Sequence, residues 1–404
     1  MAFLRLILEI ICYNNDMPMH KTFQYRIYPT KTQRLALEQT IETCRRFYND
    51  CLAERKTAYE ERGESIGKFK QLRKVKEQKN NNPYAKGIHS HVLQIVVADL
   101  DKAFQAFFRR AKAGEKAGYP RFKGRDRFDS FGFKEYGNGF NLDGRRLKLS
   151  GIGRVAVKWH RPIEGEVKTL RICRKAGKCF ASFSCVVDEK PLPENNRAVG
   201  IDVGIKSLLA TSEGEIFENP KWYREGQAKL RVLQRSVSRK TKGGHNRKKA
   251  VHLLQNHHEY ISNQRKDYLN KIVYNITTNY GFIAIENLQI RNMVKNHNLS
   301  KSILDGGWGY FAQHLAYKAA EAGRELVQVA PAYTSKTCSG CGTIFEDLDL
   351  SVRWVECDCG LALDRDVNAA INILRKALLN RDGQSRWELT WAVAPCVSQE
   401  AVAL

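Results

Sequence analysis

The stretch CSGCGTIFEDLDLSVRWVECDCGLALDRDVNAAINIL, beginning at Cys338, constrains this chain more than any other. Cys338 and Cys341 form a C-x2-C pair followed by Gly342, and Cys357 and Cys359 form a C-x-C pair followed by Gly360. Four thiolates on two glycine-ended turns suit a tetrahedral zinc ion, and with all four positions filled by protein the site is structural. The second turn is one residue shorter than the usual two-residue spacing, and reduced, unliganded thiols are the alternative. The remaining cysteines (Cys12, Cys44, Cys51, Cys173, Cys179, Cys185 and Cys396) stand singly, which argues against a disulfide framework and for a reducing compartment.

Two aspartates, Asp364 and Asp366, follow the cysteines directly, and a helical pattern, DVNAAINILRKALL, follows them. One acid is placed to cap that helix while the other points at a metal. Two further acids stand in similar settings. Asp202 interrupts the apolar run AVGIDVGI, and Glu286 ends GFIAIENL. An unpaired carboxylate buried in a strand costs several kcal/mol. Any one of these acids reads as a cap or an ion pair. Together, in one domain, they suit a metal site for phosphodiester chemistry, where two Mg²⁺ ions about 4 Å apart clamp the attacking and leaving oxygens.

The rest of the chain reads as modules. HKTFQYRIYPT alternates as a strand, and Thr30 with Gln33 forms a capping box. Residues 31–111 are expected to be helical. From about 130 to 187 short alternating runs with glycine turns predict a β-rich module, a barrel closed by the first strand. PLPENN reads as a linker, and from 196 strands alternate with helices, predicting a mixed α/β sheet.

Charge identifies a partner. Lys and Arg number 67 against 43 Asp and Glu, giving +24. Residues 226–258 hold nine Lys/Arg and no acid. Such a run fits a phosphate backbone better than a solvated face. The phosphate candidates are Arg121, Lys123, Arg125 and Arg127 in one loop, and Arg239, Lys240, Lys242, Arg247, Lys248 and Lys249 in the later cluster. No run of about 18 apolar residues predicts a membrane span. Residues 1–18 are expected to be a disordered extension ahead of Met19, and 380–404 a disordered tail.

GIDVGIKSLLATSEG, NRKKAVHLLQNHHEYISNQRKDYLNKI, IAIENL, TSKTCSGCG and LDRDVNAA, in that order, resemble TnpB, the RNA-guided nucleases of bacterial insertion sequences related to type V CRISPR effectors. The opening KTFQYRIYPTKTQ and GYPRFKGRDR match the same style, and the resemblance covers residues 19–376. It implies an α+β multidomain protein. A RuvC-like, RNase H-type α/β nuclease domain would span 196–376, with a zinc ribbon inserted at 333–362. A β-barrel wedge domain would comprise 19–30 and 112–190, and a helical recognition domain 31–111. The catalytic, Mg²⁺-binding acids would be Asp202, Glu286 and Asp366, with Asp364 a less favoured ligand. Arg353 resembles an arginine near the scissile phosphate, with a surface ion pair as its alternative. The implied partners are a guide RNA from the transposon end and a double-stranded DNA target beside a short motif, with the protein a monomer or, alternatively, a dimer. A bacterial or archaeal cytoplasm, near the nucleoid, is the implied location. A DNA-binding transposase, or a non-catalytic regulator of transposition, is the competing reading. A pure binder would not need the intact acids.

Overall fold

The computed structural model describes residues 19–380, apart from 126, 189, 347 and 349–351. The expected extension over 1–18 and the tail from 381 lie outside the described residues. The chain divides into two compact units, Met1–Glu189 and Lys190–Leu404.

The first unit opens with β1 (Met19–Tyr28), whose alternate residues Phe23, Tyr25 and Ile27 are buried. Helix α1 (Lys31–Arg62) starts at the capping box, where Gln33 N donates to Thr30 Oγ1 at 3.3 Å and Thr30 N to Gln33 Oε1 at 3.0 Å. It ends on Gly63 in the left-handed conformation, φ 64°. Helix α2 (Lys68–Asn81) precedes α3 (Ser90–Lys112). The sequence reading had a turn before one second helix and missed α2 as a separate element. That helix buries only Gln71 and Val75, so it has no apolar stripe to read. Polar contacts anchor it instead: Gln71 donates to Cys51 O at 2.8 Å and accepts from Arg55 Nε at 2.8 Å.

Strands β2 (Ser130–Phe133), β3 (Glu135–Tyr136), β4 (Gly139–Asp143), β5 (Arg146–Leu149), β6 (Gly153–Lys158), β7 (Glu166–Lys175) and β8 (Lys178–Val187) join β1 in one eight-stranded sheet. The order is β2-β7-β8-β1-β6-β5-β4-β3, so the first strand of the chain sits in the interior. The two edge strands, β2 and β3, are separated in the chain by Lys134 alone. Residues of α1, α3 and the sheet share a single hydrophobic cluster, among them Phe47, Leu100, Phe131 and Phe183.

The second unit is built on a five-stranded sheet. Strands β9 (Ala198–Val203), β10 (Ser207–Thr211) and β11 (Ile216–Glu218) form an antiparallel meander. Helices α4 (Trp222–Ser238) and α5 (His245–Asn279) follow, broken at Gly243 and Gly244. Strand β12 (Phe282–Glu286) then lies parallel to β9. Helices α6 (Ile290–Met293), α7 (His297–Gly306) and α8 (Trp308–Glu321) lead to β13 (Glu325–Val329), parallel to β12. The hairpin β14 (Trp354–Glu356) and β15 (Ala362–Asp364) feeds α9 (Arg365–Leu379). The sheet order is β11-β10-β9-β12-β13.

Alternation along the central strands separates two faces. Val199, Ile201, Ile283 and Ile285 pack with Leu269, Val273, Phe311 and Leu315 of α5 and α8. Phe282, Ala284 and Val329 pack with Ile373, Ala377 and Leu378 of α9. The sheet is therefore covered by helices on both sides. Gly200 is what lets α9 lie close: a Cβ there would meet the Ala370 carbonyl oxygen at 2.0 Å. That approach brings the start of α9 to the end of β9.

Candidate functional site

Parallel neighbours in register present their C-terminal ends at one edge of the sheet. Asp202 sits next to last in β9, and Glu286 is the last residue of β12. Asp366 lies in the first turn of α9. All three line one cavity of about 600 Å³, together with Arg353, Lys206, Lys221 and Arg224. Asp364 is used differently. It caps α9, accepting from Asp366 N at 2.8 Å and Val367 N at 3.3 Å. Its oxygen is thereby committed to backbone, and it lies outside the cavity lining.

All three carboxyls are raised, chiefly by burial. Burial, then the charges of Glu286 and Asp366, push the Asp202 carboxyl up to about 8. Burial also raises Glu286, against a hydrogen bond from Thr334 Oγ1. Asp366 is raised by burial and by Asp364, with Arg353 opposing at 3.9 Å. A fourth acid of the cavity, Asp305, behaves as structure. It accepts from Tyr223 N at 2.8 Å and Arg224 N at 3.3 Å at the start of α4, and pairs with Arg265 at 2.9 Å. Asp305 is engaged by partners on every side, whereas the other three carboxyls stay raised by burial despite partial relief from Thr334, Arg353 and Arg365. Hard oxygen donors crowded in this way fit Mg²⁺, which prefers carboxylates and water.

Beside the cleft the four cysteine sulfurs gather, their ligating atoms all within 4.8 Å of one another. Cys338 Sγ lies 3.7 Å from Cys359 Sγ, and Cys341 Sγ lies 3.5 Å from Cys357 Sγ. A tetrahedron with zinc–sulfur bonds of about 2.3 Å has edges of roughly 3.8 Å, so the spacing fits zinc. The short C-x-C turn does not prevent it. Gly342 and Gly360 supply left-handed turns, φ 86° and 88°, and their N–H groups donate to Cys338 O at 3.0 Å and Cys357 O at 2.8 Å. Hydrogen bonding with Thr343, then with Cys357, pushes the Cys341 thiol down to about 6, while its neighbour Cys357 is pushed up to about 12.

The phosphate candidates fall into separate places. Arg121, Arg125 and Arg127 are exposed in the loop after α3. Lys123 is docked there, its backbone bonded to Asn49 and its ammonium 5.5 Å from the Tyr48 ring centre. In the second unit Arg239 and Lys242 are exposed at the α4–α5 break, Lys248 and Lys249 are exposed on α5, and Arg247 is half-buried. Lys240 folds back onto Ser236 Oγ at 3.1 Å. The sequence reading missed Arg231 and Arg235. With Arg239, the residue that caps the C-terminus of α4, they recur at i, i+4 and i+8 and line a shallow cavity of about 320 Å³. Helical spacing within the counted basic run was the signal for them. It also passed over Lys206, Lys221 and Arg224, scattered in sequence and gathered only by the fold.

Comparison with known proteins fits this arrangement. The family model described as "Probable transposase" matches residues 182–297, and "Cas12f1-like, TNB domain" matches 308–373. A "Helix-turn-helix domain" model matches 17–64, where the described residues form β1 and one uninterrupted helix, α1. A "Putative RNA-guided DNA endonuclease" of Streptomyces pristinaespiralis is 37% identical over 89% of this chain and 89% of its own length. This chain belongs to the TnpB-like family. Another member, "Putative RNA-guided DNA endonuclease InsQ" of Escherichia coli, is 32% identical over 88% of this chain and 91% of its own length. The fold resembles that in a cryo-EM structure of a Cas12f1–sgRNA–target DNA complex, with a TM-score of 0.56 at 14% identity over 88% of this chain and 98% of that one. Among the described residues no helix is long and apolar enough to cross a membrane.

Proposed function

We propose that this protein is an RNA-guided DNA endonuclease of a transposable element. Its guide RNA derives from the transposon end, and its target is double-stranded DNA beside a short motif. The observation that carries the reading is the convergence of Asp202, Glu286 and Asp366 on one cavity, where burial and the other two acids raise the Asp202 carboxyl. These carboxylates would hold two Mg²⁺ ions. Those ions, when bound, supply charge stabilisation and an activated water for phosphodiester hydrolysis.

The chain's own residues account for the remainder. Arg353, beside Asp366, is placed to meet negative charge developing on the scissile phosphate. Asp364 fixes the first turn of α9 and so the direction of Asp366. The cysteine cluster would hold a structural zinc and brace the segment leading to that turn. The cationic rows on α4, α5 and the 121–127 loop contact phosphates without reading bases, as suits a protein that leaves sequence recognition to a guide. In this reading the second unit is the RuvC-like nuclease, the eight-stranded sheet the barrel-like wedge, and α1 to α3 the recognition module. The protein acts as a monomer in the cytoplasm.

Asp202→Ala tests the assignment. The variant, purified from cells carrying the element, is expected to retain its copurifying RNA and to lose double-strand cleavage. Cleavage by Asp202→Ala at the wild-type rate would remove Asp202 from the site.

A further inference from the structure

One face of α9 does more than cover the sheet. Asn368, Asn372, Arg375 and Lys376 recur at helical spacing and bond the backbone of the segment 330–339. Lys376 Nζ donates to Ala330 O at 2.9 Å and Ala332 O at 3.2 Å. Asn372 Nδ2 donates to Thr334 O at 2.9 Å and Thr337 O at 2.6 Å. Asn368 Nδ2 donates to Thr337 O at 2.8 Å while its Oδ1 accepts from Ser339 N, also at 2.8 Å. Arg375 Nη2 donates to Ser339 O at 2.7 Å. Asn368 is fully buried and Asn372 nearly so.

Satisfying buried backbone groups is by itself a structural role. What distinguishes this segment is where it leads. Thr334 donates its hydroxyl to the Glu286 carboxylate, and Cys338 begins the cysteine cluster. The residue before Thr334, Tyr333, is held at φ 64°, a left-handed conformation unfavourable to a non-glycine residue, with its ring exposed. The same helix carries Asp366 at its start. Two carboxylates of the cleft and one cysteine turn are thus tied to one row of side chains.

We propose that Asn372, acting through Thr334, is a positioning residue that fixes the Glu286 carboxylate in the acidic cleft, while Asn368 holds the adjoining Thr337–Ser339 backbone in register with the cysteine cluster. The proposal rests on the reading of that cleft as a divalent-metal site. Ligating carboxylates held by a hydrogen-bonded outer shell lose metal affinity by about 10–100-fold when that shell is cut. The two asparagines are specific in kind. Asn368 both donates and accepts, which neither aspartate nor alanine reproduces.

The test is Mn²⁺ binding to the purified full-length protein by electron paramagnetic resonance, with zinc content and melting temperature measured alongside. Asp202→Asn defines the part of the signal that belongs to the cleft. Thr334→Val and Asn372→Ala are expected to weaken that part by about tenfold while zinc is retained, and Thr334→Ser to bind as wild type. Thr334→Val binding Mn²⁺ like wild type would overturn the proposal. So would an Asn372→Ala variant that melts earlier with unchanged Mn²⁺ affinity, since a merely structural role predicts that. Should Asn372→Ala fail to fold, Thr334→Val decides alone, because it removes one hydroxyl and keeps the shape. Absence of any Asp202-dependent Mn²⁺ signal in wild type would instead sink the metal-site reading, and the proposal with it.

Discussion

Replacing Asp202 by asparagine should make the protein more stable and inactive at once. The Asp202 carboxyl is raised from 3.8 to about 8, chiefly by burial and then by Glu286 and Asp366. An acid whose folded-state value exceeds its unfolded value binds more protons folded than unfolded, so stability falls as pH rises between those values. At pH 7 the interval from 3.8 corresponds to about 4 kcal/mol as an upper bound. Partial exposure of the side chain to the open cleft reduces this, and about 2 kcal/mol is a working figure. Asparagine keeps the shape and removes the charge. In magnesium-free buffer at pH 7, Asp202→Asn should therefore melt roughly 4–8 °C above wild type, at 2–4 °C per kcal/mol for a unit of this size. The gap should widen from pH 4 to pH 8 and shrink when Mg²⁺ is added, because Mg²⁺ stabilises only the wild type. Differential scanning fluorimetry across pH, with and without Mg²⁺, reads all three effects. A gap of zero, or one independent of pH, would refute the argument that burial and the neighbouring acids hold the Asp202 carboxyl up.

Other perturbations test separate parts of the architecture. Gly200→Ala should lower stability by about 3 kcal/mol or more, since its Cβ would meet the Ala370 carbonyl at 2.0 Å and push α9 off the sheet; thermal unfolding and cleavage should fall together. Cys359→Ser should reduce zinc to well below one ion per chain by mass spectrometry and lower the melting temperature, while Cys185→Ser, outside the cluster, should leave zinc unchanged. Glu42, held down at about 2 mainly by Arg45, should contribute, after solvent screening, about 1 kcal/mol that is present above pH 4.5 and lost as pH falls toward 2. Glu42→Gln should flatten that part of the acid-denaturation profile. Changing Arg231, Arg235 and Arg239 together to Gln should weaken nucleic-acid binding and lower the slope of log affinity against log salt by about 2–3.

The short-range content of the fold was legible because it is carried by neighbours in sequence. The capping box at Thr30 and Gln33, the alternation of Phe23, Tyr25 and Ile27, and the two cysteine turns each specify a local structure without reference to anything distant. Helix α2 escaped because its anchors, Gln71 to Cys51 and Arg55, are polar and lie on another helix, leaving no apolar period to detect.

The site divides along the same line. By itself the sequence determined which acids sit at the ends of apolar strands, and that Asp364 and Asp366 open a helix, since burial of a charge and helix capping are local matters. Only the tertiary structure decided which of those acids meet. Asp202 and Glu286 come to one edge because β9 and β12 are parallel neighbours, and Asp366 joins them because Gly200 admits α9 against β9. It alone gave Asp305 to Arg265. It alone brought Thr334, Asn368 and Asn372 into one hydrogen-bonded row. The reason is geometric: hydrogen bonds and like-charge repulsion act over a few ångströms, and residues far apart along a chain reach that range only when strand order and helix packing bring them there.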